Sequence, residues 1–414
     1  MMNNKTLFTL LILSNSYALV AQTNSLTGSP YSVFGLGVQT NSNLAGFSGF
    51  GNTGIAYQGG SLLNPYNPAA LASIEAKSFL FDIGLNTEIS TLSNRSNDER
   101  RISSNFSSVA MAFNASGNWG VGFTLVPATN VGYTLLGIEG DIEGSEETFT
   151  SNVVGSGGVN KIKLDYGQRI LNGLNFGLEA SYLFGTIDEN ENIRLENSGL
   201  IITEENMYSG FQLGFGAQYR FNEKVTLGAT NKFQSILKGS QNRYVIKSLN
   251  TINSIVEDEE DIAIDDFTFP FQFGIGLSTS YVPNLTLNID YSKKLWSATE
   301  QSDAIGDYTD QSTFGVGGEY IPNKNGFKYW QRINYRAGFN YDSGNLEVND
   351  ISIDQYKYTL GLGLPIGKGN SMINISYNFI NNGVVDGILI EENTHLLNIN
   401  LTLKDVWFLK RQYD

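Results

Sequence analysis

The chain has 414 residues, 41 acidic against 26 basic side chains, one His, no Cys and a formal net charge of -15. Without Cys there is no disulfide framework, thiolate metal site, cysteine nucleophile or lipid-modified N-terminal Cys. A single His removes most His-built metal and acid–base sites, and an acidic chain without a clustered basic stripe has no surface for nucleic acid.

Residues 1–22 read as a secretory signal peptide. Lys5 precedes an apolar run from Leu7 to Leu13, and the segment ends Ala18-Leu19-Val20-Ala21-Gln22, with a core too short to span a bilayer as a helix. Beyond it no run of about 18 apolar residues occurs, which excludes helical membrane spans.

From about residue 76 the chain alternates with period two. In the stretch 285–292, Leu285, Leu287, Ile289 and Tyr291 share one face, with Thr286, Asn288, Asp290 and Ser292 on the other. Phe211, Leu213, Phe215, Ala217 and Tyr219 repeat the pattern, as do Leu397, Ile399, Leu401 and Leu403. Successive strand side chains point to opposite faces, so each segment is a ribbon with one apolar side and one polar or glycine side.

Fourteen such segments can be counted, and an even number suits a closed antiparallel barrel. Their connections alternate. Short turns fall at 116–118, 171–173, 222–224, 283–284, 322–326 and 365–370; long loops are expected at about 92–103, 127–155, 187–205, 238–266, 296–311, 343–352 and 381–393. Short turns at one end and long loops at the other is the asymmetry of transmembrane barrels. A soluble sandwich has no reason to segregate loop lengths in this way. The expected fold is therefore all-β, a 14-stranded antiparallel transmembrane barrel, apolar toward lipid and polar toward the lumen. Inward glycines such as Gly120, Gly216, Gly317 and Gly361 leave room for water or packed chain, or ease curvature of the wall. Trp119, Tyr219, Tyr281, Tyr291, Trp296, Tyr320, Tyr341 and Trp407 stand at strand ends, as interfacial girdles require.

Residues 23–75 are not barrel-like. They contain Ser29-Pro-Tyr-Ser-Val-Phe-Gly35, then Gly54, Ala56 and an Asn67-Pro68-Ala69 motif followed by Leu71. This pattern resembles the N-terminal hatch of the FadL-like outer-membrane family, with the flavour of its Bacteroidota branch and the PorV-type proteins. The ending Asp405-Val-Trp-Phe-Leu-Lys-Arg-Gln-Tyr-Asp414 resembles the same group. The resemblance implies a barrel over 76–414 plugged by a hatch over 23–75. It also implies that hydrophobic ligands enter between the outer loops and the wall and reach a site near the hatch. A lumen this wide cannot be filled by wall side chains alone, and irregular backbone is tolerated there.

The inward face carries Asp82, Lys163, Asp165, Glu179, Arg220, Lys232, Asp290, Glu319, Arg336 and Lys357. They pair with one another or with a plug, or they line a substrate path. The stretches 187–205 and 238–266 hold apolar patches at 200–202, Ile252 and 255–256, which suit a ligand entrance or a partner protein. Glu257-Asp-Glu-Glu-Asp261 lacks the spacing of a calcium loop. His395 has no serine motif to serve, so no enzyme activity, metal or cofactor is expected. Two functions remain. One is uptake of hydrophobic small molecules, such as a fatty acid, through a hatch-plugged lumen. The other is a non-transporting barrel subunit of a larger outer-membrane secretion or assembly machine. Expected partners are outer-membrane lipid, a hydrophobic ligand and other outer-membrane or secretion-machine proteins, with no nucleic acid.

Overall fold

The computed structural model describes residues 26–40, 44–60, 62–142, 144, 147–195, 198–249, 252–303, 306–367 and 371–406. The signal peptide and Trp407 lie outside them. Eighteen strand segments form one sheet. One of these is the short strand Val38–Gln39, and three barrel strands are each interrupted once, which leaves fourteen. They are β1 (Ser78–Ser93), β2 (Asp98–Asn114), β3 (Trp119–Pro127 and Thr129–Asp141), β4 (Thr148–Leu171), β5 (Leu174–Leu195), β6 (Ser198–Asn222) and β7 (Val225–Lys232 and Ser235–Leu249). The circuit continues through β8 (Ile252–Phe269 and Gln272–Thr279), β9 (Leu285–Lys294), β10 (Gln311–Tyr320), β11 (Asn334–Asp342), β12 (Gln355–Ile366), β13 (Ser371–Asn382) and β14 (Glu391–Val406). Neighbours are antiparallel, and β1 closes the ring on β14 from Ser78↔Val406 to Ser93↔Glu391.

The wall is inverted relative to a soluble protein. On β14, Asn398, Asn400 and Thr402 are buried, whereas Leu397, Ile399 and Leu403 are 42–47% exposed. An apolar outward band is what lipid stabilises. Ile399→Arg is expected to cost about 2–4 kcal/mol near the midplane, seen as lost heat-modifiable folded band, while Ile399→Leu leaves the band unchanged.

Residues 26–40, 44–60 and 62–75 run inside the ring. They form three short 3-10 turns, Pro30–Val33, Leu44–Phe50 and Pro68–Ser73. Phe47, Phe50, Tyr57, Leu63, Leu71 and Ile74 are buried together, with Tyr57 edge-on to Phe47 at 5.5 Å and to Phe50 at 5.6 Å. Inward glycines of the wall admit this backbone. A Cβ on Gly216 would lie 2.0 Å from Asn67 Oδ1, one on Gly317 2.1 Å from the Phe50 carbonyl, and one on Gly177 2.3 Å from Ala69 N. At these positions close packing against the inner segment is the physical demand for glycine.

Several expected loops are strand. β4, β5 and β6 run for 24, 22 and 25 residues, and β8 takes in 252–269. About 9–11 residues cross a membrane, so at roughly 3.3 Å per residue this sheet projects some 40 Å beyond the bilayer. Both of its faces meet water or the barrel mouth, so stretches such as Glu189–Arg194 have no apolar alternation to mark them. Trp296 is likewise not in the girdle. It is 1% exposed and packs on Phe267, Phe269 and Tyr308.

Candidate functional site

The Asn67-Pro68-Ala69 motif sits on the lumen floor. Asn67 caps the turn Pro68–Ser73, its Oδ1 accepting from Ala69 N at 3.0 Å. Its Nδ2 donates to the carbonyls of Ile55 (2.8 Å) and Ala217 on β6 (3.1 Å). Gly54 N and Ile55 N donate to Asp290 Oδ2 on β9 at 2.6 and 2.9 Å, with Ala56 buried beside them. Pro supplies no N–H and pre-sets φ for the turn, so the motif leaves Asn67 free to tie inner segment and wall together.

The other lumen charges are mostly paired. Arg336 Nε donates to Glu319 Oε2 at 2.7 Å, and its Nη1 to Asn374 at 2.7 Å. Glu319 also accepts from Asn334 and Tyr57. Lys163 contacts Asp165 at 3.0 Å and Glu179 at 3.7 Å, and Lys232 contacts Glu179 at 3.8 Å. Asp82 accepts from Asn400 at 2.9 Å and Thr402 at 2.6 Å. Arg220 stands at the short-turn mouth, donating to Gln58 at 2.6 and 3.0 Å.

Three cavities surround the strand Val38–Gln39. The largest, about 220 Å³, has a mixed lining that includes the charged residues Lys161, Lys163, Lys232, Lys294, Asp290 and Asp342. Asp290 already holds the inner segment, and Asp342 accepts from Gln311. Lys161 and Lys294 donate to amide oxygens of Gln212 and Gln39 and have no carboxylate partner among the described residues. The second, about 120 Å³, is aromatic, lined by Tyr31, Phe34, Leu36, Phe267, Phe269, Trp296 and Tyr308. It shares Gln39, Thr40, Phe269, Lys294 and Asp342 with the first. Burial pushes the Tyr31 phenol up to about 12, and its hydroxyl donates to the Ile390 carbonyl at 2.6 Å. The third, also about 120 Å³, is lined by Glu88, Glu392 and Lys357, the side chain of the last making no hydrogen bond or ion pair among the described residues.

The wall is interrupted beside these cavities. β2 pairs with β3 only over Val109–Phe113, so its outer stretch from Asp98 to Ser108 has no partner on that side. β3 bends at Pro127-Ala128, and its outer half pairs with β4 on the far edge. The near edge is occupied by the inner segment. Val38 pairs with Asn130 and Gln39 with Thr129. Thr40 N donates to the Ala128 carbonyl at 3.0 Å, the Thr40 hydroxyl donates to Pro127, and Gly132 N donates to Ser32 Oγ at 3.0 Å. Exposed edge groups need partners, and the strand of the inner segment covers the edge that the outer half of β3 turns toward the gap.

Lys161, Lys294 and the aromatic lining were not among the residues singled out from the sequence. Lys161 precedes Lys163 by two residues on the same strand face, which was the available signal. His395 lies on the outward face between Tyr377 and Phe379, with Tyr377 Oη 2.7 Å from Nδ1.

A transmembrane barrel enclosing its own N-terminal segment is the class these features define, and the BamG family model matches residues 1–414. The chain belongs to the BamG family. Solved structures share its fold. The Ralstonia pickettii toluene transporter TbuX is 15% identical, with 87% of this chain and 98% of that chain covered at a TM-score of 0.59. The P. putida toluene transporter TodX is 14% identical over 89% and 100% at 0.60. A Pseudomonas aeruginosa FadL homologue is 12% identical over 90% and 100% at 0.62. No curated protein sequence matches the chain.

Proposed function

We propose that this protein takes up small hydrophobic or amphiphilic molecules, such as a fatty acid, across the outer membrane. Residues 1–22 serve as signal peptide, 23–75 as hatch and 76–414 as barrel, with the short turns periplasmic and the projecting sheet outside. The carrying observation is that the hatch strand Val38–Gln39 both borders the aromatic cavity and pairs with the outer half of β3 at the gap beside β2. A ligand's apolar part fits among Phe34, Phe267 and Trp296. An anionic head reaches Lys161 and Lys294, two half-buried ammoniums that line the cavity and make no ion pair among the described residues. Release of the hatch strand opens the gap as a lateral exit. Toluene transporters and a FadL homologue share this fold, which supports the reading.

The expected result for Lys161→Gln/Lys294→Gln is binding of a fatty-acid carboxylate weakened by about tenfold or more, from loss of charged hydrogen bonds. Toluene binding stays unchanged. Titration of purified protein with both ligands checks this, and equal loss for both would remove the head-group assignment.

The second reading is a barrel subunit of a larger machine, the role the PorV-type resemblance implies. It is favoured by the projecting sheet, whose last strand, Ile252–Phe269, is paired on one side only. Stoichiometric protein partners and no extractable ligand on mild purification would select it.

A further inference from the structure

The connection from β10 to β11, residues 321–333, is the longest at the short-turn end and differs from its surroundings in charge. It carries Lys324, Lys328 and Arg332 and no acidic residue, on a chain with net charge -15. None of the three cations makes an ion pair among the described residues. Phe327 is fully exposed and Trp330 is 53% exposed. The segment is nonetheless ordered by its own bonds. Asn323 N donates to the Gln331 carbonyl at 2.7 Å, Gln331 N to the Lys328 carbonyl at 3.1 Å, and Arg332 lies over the Tyr329 ring at 5.7 Å.

Its position names the occupant. Tyr320 and Tyr335 close the two strands on the outward, lipid-facing side, and Tyr335 Oη donates to the Trp330 carbonyl at 3.3 Å. Tyr329 Oη donates to the Pro365 carbonyl near the end of β12 at 3.2 Å. The connection is thus tied to the outward-facing Tyr335 and to β12. It continues the lipid-facing surface down into the head-group layer. Aromatic rings with a polar edge and long cationic side chains are the groups that favour this layer. Clustered cations there attract anionic lipid.

We infer that residues 321–333 form a binding site for anionic phospholipid of the leaflet at the short-turn end. Lys324, Lys328 and Arg332 hold the phosphate, and Phe327 and Trp330 lie at the acyl boundary. The site fixes the depth and tilt of the β10–β11 sector, independently of any uptake through the lumen.

Native mass spectrometry of the full-length, delipidated protein tests this, titrated with phosphatidylglycerol, phosphatidylcholine or inorganic phosphate. Phosphatidylglycerol is expected to remain bound. Lys324→Gln/Lys328→Gln/Arg332→Gln weakens it about a hundredfold, fivefold or so for each cation, with phosphatidylcholine unaffected. Phe327→Ser/Trp330→Ser weakens both lipids and leaves heat-modifiable folding intact. Equal phosphatidylglycerol retention by wild type and the triple variant overturns the site. Displacement of the lipid by millimolar inorganic phosphate, or by a soluble acidic protein, assigns the cations to a different ligand and equally overturns it.

Discussion

A chain lacking residues 23–75 is expected to conduct ions as an open, ohmic pore in planar bilayers, where the full chain is closed. The inner segment fills the lumen against wall glycines, with Asn67 bonded to β6 and Gly54 and Ile55 to Asp290 on β9. Once it is gone, the inward face presents small and polar groups such as Gly216, Gly317, Asn398 and Asn400, which wet readily. A fourteen-strand ring is too wide for those side chains to close. Unchanged conductance would mean that the segment does not plug the barrel.

The Arg336–Glu319 pair predicts the largest loss of stability from a single substitution. Both side chains are nearly fully buried, the contact is 2.7 Å, and Arg336 also holds Asn374. Arg336→Ala leaves the Glu319 carboxylate with only Asn334 and Tyr57. Breaking such a pair from one side costs about 3–5 kcal/mol, because an uncompensated charge stays buried. Replacing both partners, Arg336→Met with Glu319→Leu, is expected to recover most of that loss. Denaturant unfolding in micelles reads both outcomes, and an Arg336→Ala barrel as stable as wild type would show that solvent reaches Glu319.

How far the fold was legible in the sequence follows from where each face looks. Along β14, lipid on one side and a polar lumen on the other force strict alternation at Leu397, Ile399 and Leu401, so strand and facing could both be read. Beyond the bilayer the same strands lose that contrast. Residues 187–205 and 238–266 looked like loops because neither face is uniformly apolar, although the strands described within them remain paired. The two-residue strand Val38–Gln39 is too short to carry any periodicity, and its partner residues lie 90 and 92 positions away. Pro127 marked a break in β3 without saying which strand would leave its neighbour there. The inner-segment motif was legible, since Asn67-Pro68-Ala69 has a local capping function that fixes residue types. Lys161, Lys294 and the rings around Trp296 come together from separate strands and so could not be grouped by spacing.

The central claim is that ligand leaves through the gap between β2 and β3 when the hatch strand lets go. The chain has no Cys, so Val38→Cys with Asn130→Cys introduces a single defined cross-link between directly opposed residues. Such partners hold their Cβ atoms roughly 4.5–5.5 Å apart, close enough to bridge with a small shift. Uptake of a radiolabelled fatty acid into cells carrying this variant is the measurement. The account predicts that uptake stops on oxidation and returns with dithiothreitol; equal uptake by the oxidised and reduced protein would contradict it.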